Sequence, residues 1–239
     1  MIKRKGENEM GKLFDADKDN IVKRGIEKSS KSYVTEKGSW FGFSGPAIVN
    51  HWNLFKSIIG DNGLFVVAEQ EKVVYDRIVT ESDSISHKKR LQVFNEELFK
   101  VLKGLPTHNY NDKFVFGHLD FCVTAKTLMR DGGIVENLFW LASWSRLADS
   151  FFMDVTLCDR TDSFGFHESL LEDLIPKIFN ACGWEVLSPK ARELSKYPHS
   201  KNGYIYTQKY KEDGPHMRNA FYEFKKAGMY RNEYWPSED

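Results

Sequence analysis

From Tyr33 onward, short apolar runs alternate with segments whose apolar residues recur at steps of three and four. The first pattern suits buried strands and the second suits one face of a helix. Residues 39–43 form a short aromatic run that breaks at Ser44-Gly45-Pro46. Ile48, Trp52, Phe55 and Ile59 then follow at steps of four, three and four, which predicts a single helical face. Gly60-Asp61-Asn62-Gly63 ends that helix. Leu64-Phe65-Val66-Val67-Ala68 is a continuous apolar run, as in strands buried on both faces of a parallel sheet. Strand, turn, helix and strand together take about thirty residues, the size of a βαβ crossover.

The alternation continues. Residues 71–79 read as a short helix and 80–89 as a polar connection. Residues 90–94 read as a third strand with a helix over 96–103. A fourth strand begins at 113–117 and runs into His118-Leu119-Asp120-Phe121-Cys122. Residues 134–150 predict an amphipathic helix with Ile134, Leu138, Leu141 and Ser145 on one side, and 151–158 a buried strand. Residues 166–181 are helical, with Pro176 forcing a kink or a fresh start. Gly183 caps that helix, 184–187 is a strand, and 204–210 is another, after the turn signal Lys201-Asn202-Gly203. The organisation expected is a polar arm over 1–30, one α/β domain over 31–210 and a basic, aromatic extension over 211–239. The fold class expected is Rossmann-like: a mainly parallel twisted sheet, helices on both faces and an antiparallel last strand.

Composition narrows this picture. The chain has 239 residues, 41% hydrophobic and 14% aromatic, enough for a single bulky core. Lys+Arg and Asp+Glu both number 34, so the formal net charge is zero. That removes the simplest electrostatic case for nucleic-acid binding, although a local basic patch stays open. The extension interleaves Lys209, Lys211, Arg218, Lys225, Lys226 and Arg231 with Tyr210, Phe221, Tyr222, Phe224, Tyr230 and Tyr234. Spacing of three and four predicts an amphipathic closing helix whose aromatics pack on the sheet. The alternative is a stacking surface for single-stranded nucleic acid.

Cys122, Cys158 and Cys182 are far apart and match no metal spacing, as for reduced cytosolic thiols. The charged start MIKRKGENEM has no apolar run behind it, and no apolar stretch is long enough to span a bilayer. A soluble, cytoplasmic protein without membrane partners is the expectation. Asp15, Asp17 and Asp19 imitate the opening of a calcium-binding loop, but Asn20 and Ile26 stand where that loop needs Gly and Glu.

In a parallel α/β sheet, ligands bind beyond the carboxyl ends of the strands. Four groups stand at such positions. Gly42-Phe43-Ser44-Gly45-Pro46 follows strand one; its small residues suit close approach to a ligand, or simply a strand-to-helix turn. Glu69-Gln70 follows strand two, where an acid accepts hydrogen bonds from ribose hydroxyls, or else opens a helix. Asn95-Glu96 would flank an adenine, or Asn95 would cap the next helix. His118-Leu119-Asp120-Phe121 ends strand four. His118 and Asp120, two apart, share a strand face and could act together; otherwise Asp120 caps and His118 packs.

With these residues in place, the stretch 33–210 resembles the class I S-adenosylmethionine-dependent methyltransferase superfamily. Gly42, Ser44 and Gly45 match its glycine-rich first loop, Glu69 its ribose-binding acid, and Asp120 with Phe121 its fourth motif. Ala181-Cys182-Gly183-Trp184-Glu185-Val186 is similar to its entry into strand six, and the strands around Asn202-Gly203 to its reversed last strand. The resemblance implies S-adenosylmethionine as cofactor, with Gln70 and Asn95 beside it. Asp120, helped by His118, would take a proton from an oxygen or nitrogen nucleophile. The first loop departs from G-x-G-x-G. The Asn/Asp-Pro-Pro-aromatic and Pro-Cys motifs of base-modifying members are absent. The acceptor, a small molecule or nucleic acid, stays open. Two other readings compete: a non-catalytic nucleotide- or macromolecule-binding protein, and a metal-dependent nuclease built on Glu69, Glu71 and Lys72.

Overall fold

The computed structural model describes residues 37–43, 48–56, 59–60, 63–85, 90–105, 113–121, 125–130, 133–159, 166, 169–187, 205–209 and 216–227. The expected N-terminal arm, the calcium-loop look-alike, Ser44-Gly45-Pro46 and the Asn202-Gly203 turn lie outside the described residues. The chain divides into two compact units, Met1–Asp120 with Tyr210–Gly214, and Phe121–Lys209 with Pro215–Asp239.

The first unit follows the βα alternation of its sequence. It contains β1 (Ser39–Gly42), α1 (Ile48–Phe55), β2 (Phe65–Ala68), α2 (Lys72–Ser82), β3 (Leu91–Phe94), α3 (Leu98–Gly104) and β4 (Phe114–Phe121). The strands lie in the order β3-β2-β1-β4, and every neighbouring pair is parallel. All four residues of β1 and of β2 are buried, as their apolar runs require, whereas β3 is half-exposed throughout. Ile48, Trp52 and Phe55 turn one face of α1 into the core, and Ile59, buried as well, bridges Gly38 beyond the helix end. Trp40 stacks on Phe65 at 4.1 Å and meets Phe55 at 5.1 Å.

Two helix boundaries differ from expectation. α2 continues to Ser82, into the segment expected as a polar connection. Thr80 and Ser82 turn their hydroxyls back onto the carbonyls of Asp76 and Val79, so polar residues extend the helix without exposing new backbone. Pairs one turn apart, Lys72 with Asp76 and Arg77 with Glu81, line its outer side. At α3 the cap is Glu97, not Asn95: its carboxylate accepts from the backbone N–H groups of Phe99 and Lys100 at 3.0 and 2.9 Å.

The second unit contains α4 (Ala125–Arg130), α5 (Gly133–Ser143), β5 (Leu147–Asp159), a π-helical turn (Ser169–Leu174), α6 (Ile175–Ala181), β6 (Trp184–Leu187), β7 (Ile205–Lys209) and β8 (His216–Lys226). β8 runs antiparallel to β5 along one edge, from Ser150↔Lys225 to Asp159↔His216. Its other edge is shared: β7 pairs its first half and β6 its second, both antiparallel. Phe179 stacks on Phe224 at 3.9 Å, the buried Tyr222 hydroxyl donates to Leu171 O, and Trp184 Nε1 donates to Ala142 O, each at 2.7 Å. Pro176 stands in the first turn of α6, the fresh start its ring demands. Gly183 closes the helix at φ 84°, a conformation other residues rarely adopt.

Three expectations are corrected here. The helix over 134–150 stops at Ser143, and β5 begins at Leu147, because Trp144 and Leu147 close a turn through their N–H groups. α4 was not foreseen. The closing helix is instead the strand β8, and 216–226 pairs with strands of the second unit. The step of three from Phe221 to Phe224 looks helical. Yet Tyr222 and Phe224, two apart, lie on one strand face with rings 5.6 Å apart and nearly parallel.

The architecture is therefore α/β and Rossmann-like, with parallel strands and intervening helices first and antiparallel strands last. No helix among the described residues is long and apolar enough to cross a membrane.

Glu223 on β8 provides a test of this packing. Its Oε1 is buried without a hydrogen-bond partner, and burial pushes the carboxyl above its usual range, only partly opposed by Lys225. A raised folded-state value favours the protonated form. The associated stability is therefore present at acid pH and is lost as pH rises through that value. Glu223→Gln should melt above the wild type at pH 8, with the gap closing near pH 4. An equal gap at both pH values in thermal melts would contradict this origin.

Candidate functional site

Because β1, β2, β3 and β4 are mutually parallel, their carboxyl ends share one edge of the first unit's sheet. The residues singled out in sequence fall there in two groups.

The first group is at β2 and β3. Glu69, half-buried, follows β2; its N–H donates to Phe94 O at 3.0 Å, which continues the ladder with β3. Its carboxylate Oε1 accepts from Glu71 N–H at 2.8 Å. Asn95, at the end of β3, donates through Nδ2 to Glu69 O at 2.8 Å and to Gln70 O at 3.1 Å. Glu69, Gln70 and Asn95 are thus brought together, and the acid is held at its backbone and at its side chain. Lys72 pairs with Asp76 along α2 and lies over the Tyr75 ring. No group of three His, Cys, Asp or Glu among the described residues is placed to hold a metal ion.

The second group is at β1 and β4. Gly42 is in register with His118, and Phe43 N–H donates to His118 O at 3.0 Å. A Cβ at position 42 would stand 2.3 Å from His118 O and 2.8 Å from the His118 Cβ. Glycine is therefore demanded here by the neighbouring strand, a reason that holds without any ligand. Ser44 and Gly45 lie outside the described residues.

His118 is buried, 1% exposed, and its ring lies among aromatics: 5.2 Å from His51, 6.2 Å from Trp40 and 6.4 Å from Phe55. Asp120, two residues on, is half-buried, and Phe121, also half-buried, closes β4. His51 was missed in the sequence. Its signal was present: it stands three residues after Ile48 and four before Phe55, on the buried face of α1.

No protein-family model and no curated protein matches the sequence. Solved structures do match. The plantazolicin methyltransferase BpumL, solved with a triazolic desmethylPZN analog and SAH, aligns with a TM-score of 0.54 at 10% identity, over 93% of this chain and 92% of its own. The two chains share this fold. A candidate methylase from Haemophilus influenzae, HI0767, aligns at TM-score 0.52 and 13% identity, over 87% of this chain and 99% of that one. A candidate rRNA-methylase from Clostridium thermocellum aligns at 0.51 and 12%, over 85% and 97%. At such identities the likeness is one of methyltransferase fold.

The Gly42 contact gives a direct check. Since the obstruction is backbone, Gly42→Ala must push β1 and β4 apart. The expected loss is about 2 kcal/mol of folding stability, as for overpacked cores. Unchanged denaturant midpoints would mean that the two strands are not this close.

Proposed function

We propose that the protein is an S-adenosylmethionine-dependent methyltransferase that aligns an oxygen or nitrogen nucleophile with the cofactor's methyl group. The observation that carries this reading is Glu69. It is a carboxylate fixed at the exit of a fully buried parallel strand, in a fold shared with methyltransferases.

The donor set suits the cofactor's ribose. Ribose presents hydroxyl donors, and an ionised carboxylate only accepts. With Oε1 already oriented by Glu71 N–H, the carboxylate has lone pairs left for two hydroxyls. Gln70, exposed beside it, borders the same site.

S-adenosylmethionine, when bound, supplies an activated sulfonium methyl. What remains for the chain is to hold the acceptor in line and keep water out. Asp120, half-buried near the tip of β4, takes the acceptor's proton in this reading. His118 is packed in the aromatic cluster, so its part is to support β4 beneath Asp120. The acceptor is a small molecule or a nucleic acid, and methyl incorporation from labelled cofactor into each class separates them.

Calorimetry with S-adenosylhomocysteine and turnover assays test the reading. Glu69→Ala should weaken binding at least about tenfold, the value of a charge-assisted hydrogen bond. Asp120→Asn should keep binding and lose turnover. Binding by the wild type with no transfer to any pool would favour a non-catalytic binding protein. No binding at millimolar ligand would remove the cofactor from the account. Mg²⁺-dependent cleavage of DNA would revive the nuclease.

A further inference from the structure

The two hydrogen bonds of Asn95 carry information that its position alone does not. Both partners, Glu69 O and Gln70 O, are backbone carbonyls, which only accept. Only the NH₂ end of the amide can serve them, so its orientation is chemically determined: both N–H groups are spent on the exit of β2. Glu69 is then held at three points. Its N–H goes to Phe94 O at 3.0 Å, its C=O receives Asn95, and its Oε1 receives Glu71 N–H at 2.8 Å. The last bond spans two residues, from the Glu69 carboxylate to the second N–H after it, so it depends on how the backbone of 69–71 is held. The Asn95 amide bridges the carbonyls of 69 and 70, two groups of that same backbone segment.

We propose that Asn95 is a positioning residue that fixes the direction of the Glu69 carboxylate by stapling the β2 exit to the end of β3. It acts through Glu69 and not by touching a ligand. The role in cofactor affinity rests on the methyltransferase reading; the staple itself does not. Asn95 and Glu69 stand on adjacent parallel strands at their carboxyl ends, where the sheet places ligands. The functional consequence is preorganisation: an acid already aimed loses less freedom on binding than one that must be ordered.

The test is a double-mutant cycle with S-adenosylhomocysteine as the probe, together with amide hydrogen exchange on the unliganded protein. Asn95→Ala should speed exchange of the Glu71 amide, because its acceptor is no longer held. An unchanged Glu71 rate would overturn the staple whether or not any cofactor binds. Asn95→Ala should also weaken the probe about tenfold, the worth of two neutral hydrogen bonds. In the Glu69→Ala background the same change should cost less than about twofold, since coupled residues do not add. Asn95→Asp keeps the shape and the acceptor but removes both donors, and should lose as much as Ala. Additive losses, or full affinity in Asn95→Asp, would mean that Asn95 touches the ligand directly and would overturn positioning. If the wild type does not bind the probe but Glu71 exchange still rises in Asn95→Ala, the cofactor reading fails and the staple stands.

Discussion

The first unit depends on β1, a strand of four residues that must pair on both sides and be covered on both faces. Its sequence, Ser-Trp-Phe-Gly, meets each demand with a different residue. Ser39 is buried, and its hydroxyl accepts the Leu64 N–H at 2.9 Å as β2 begins. Trp40 and Phe41 fill the two faces. Gly42 leaves the surface bare where β4 comes closest. Trp40 has a cost: its indole N–H is buried with no hydrogen-bond partner. Leaving that donor unsatisfied costs about 1–3 kcal/mol. Burying roughly 200 Å² of an aromatic side chain returns about 5 kcal/mol. Packing therefore wins, and the strand stays central.

The site's geometry follows from that strand. With β2 and β4 fixed in parallel on either side of β1, Glu69 and Asp120 are delivered near the same sheet edge from different strands. Glu69 is held by Phe94, Glu71 and Asn95, all within two neighbouring strand exits. His118 shows the same logic from the other side. Its ring packs in a cluster with His51, Trp40 and Phe55, whereas Asp120, two residues on, is half-buried.

Much of this was legible in the chain. Continuous apolar runs marked β1 and β2, and the four-three-four spacing marked α1, because burial on both faces and burial on one face leave different periods. The weakly patterned strand over 90–94 proved real, its half-exposed residues explaining its mixed composition. What escaped was tertiary. The aromatic tail has steps that fit a helix, and only its pairing with β5, β6 and β7 makes it a strand. Gly42 suggested a ligand loop, whereas its close contact is with His118 of β4, which no local pattern reports. Asn95 suggested an adenine contact or a cap; Glu97 took the cap, and Asn95 bonds the exit of β2.

The central claim is that the carboxyl ends of β1 and β2 form the ligand site, with Glu69 as its anchor. A crystal structure grown with S-adenosylhomocysteine tests it most directly. The account predicts the ribose hydroxyls on the Glu69 carboxylate and the ligand lying across the carboxyl ends of β1 and β2. A ligand seated elsewhere in the chain, or a Glu69 carboxylate turned away from it, would contradict the account.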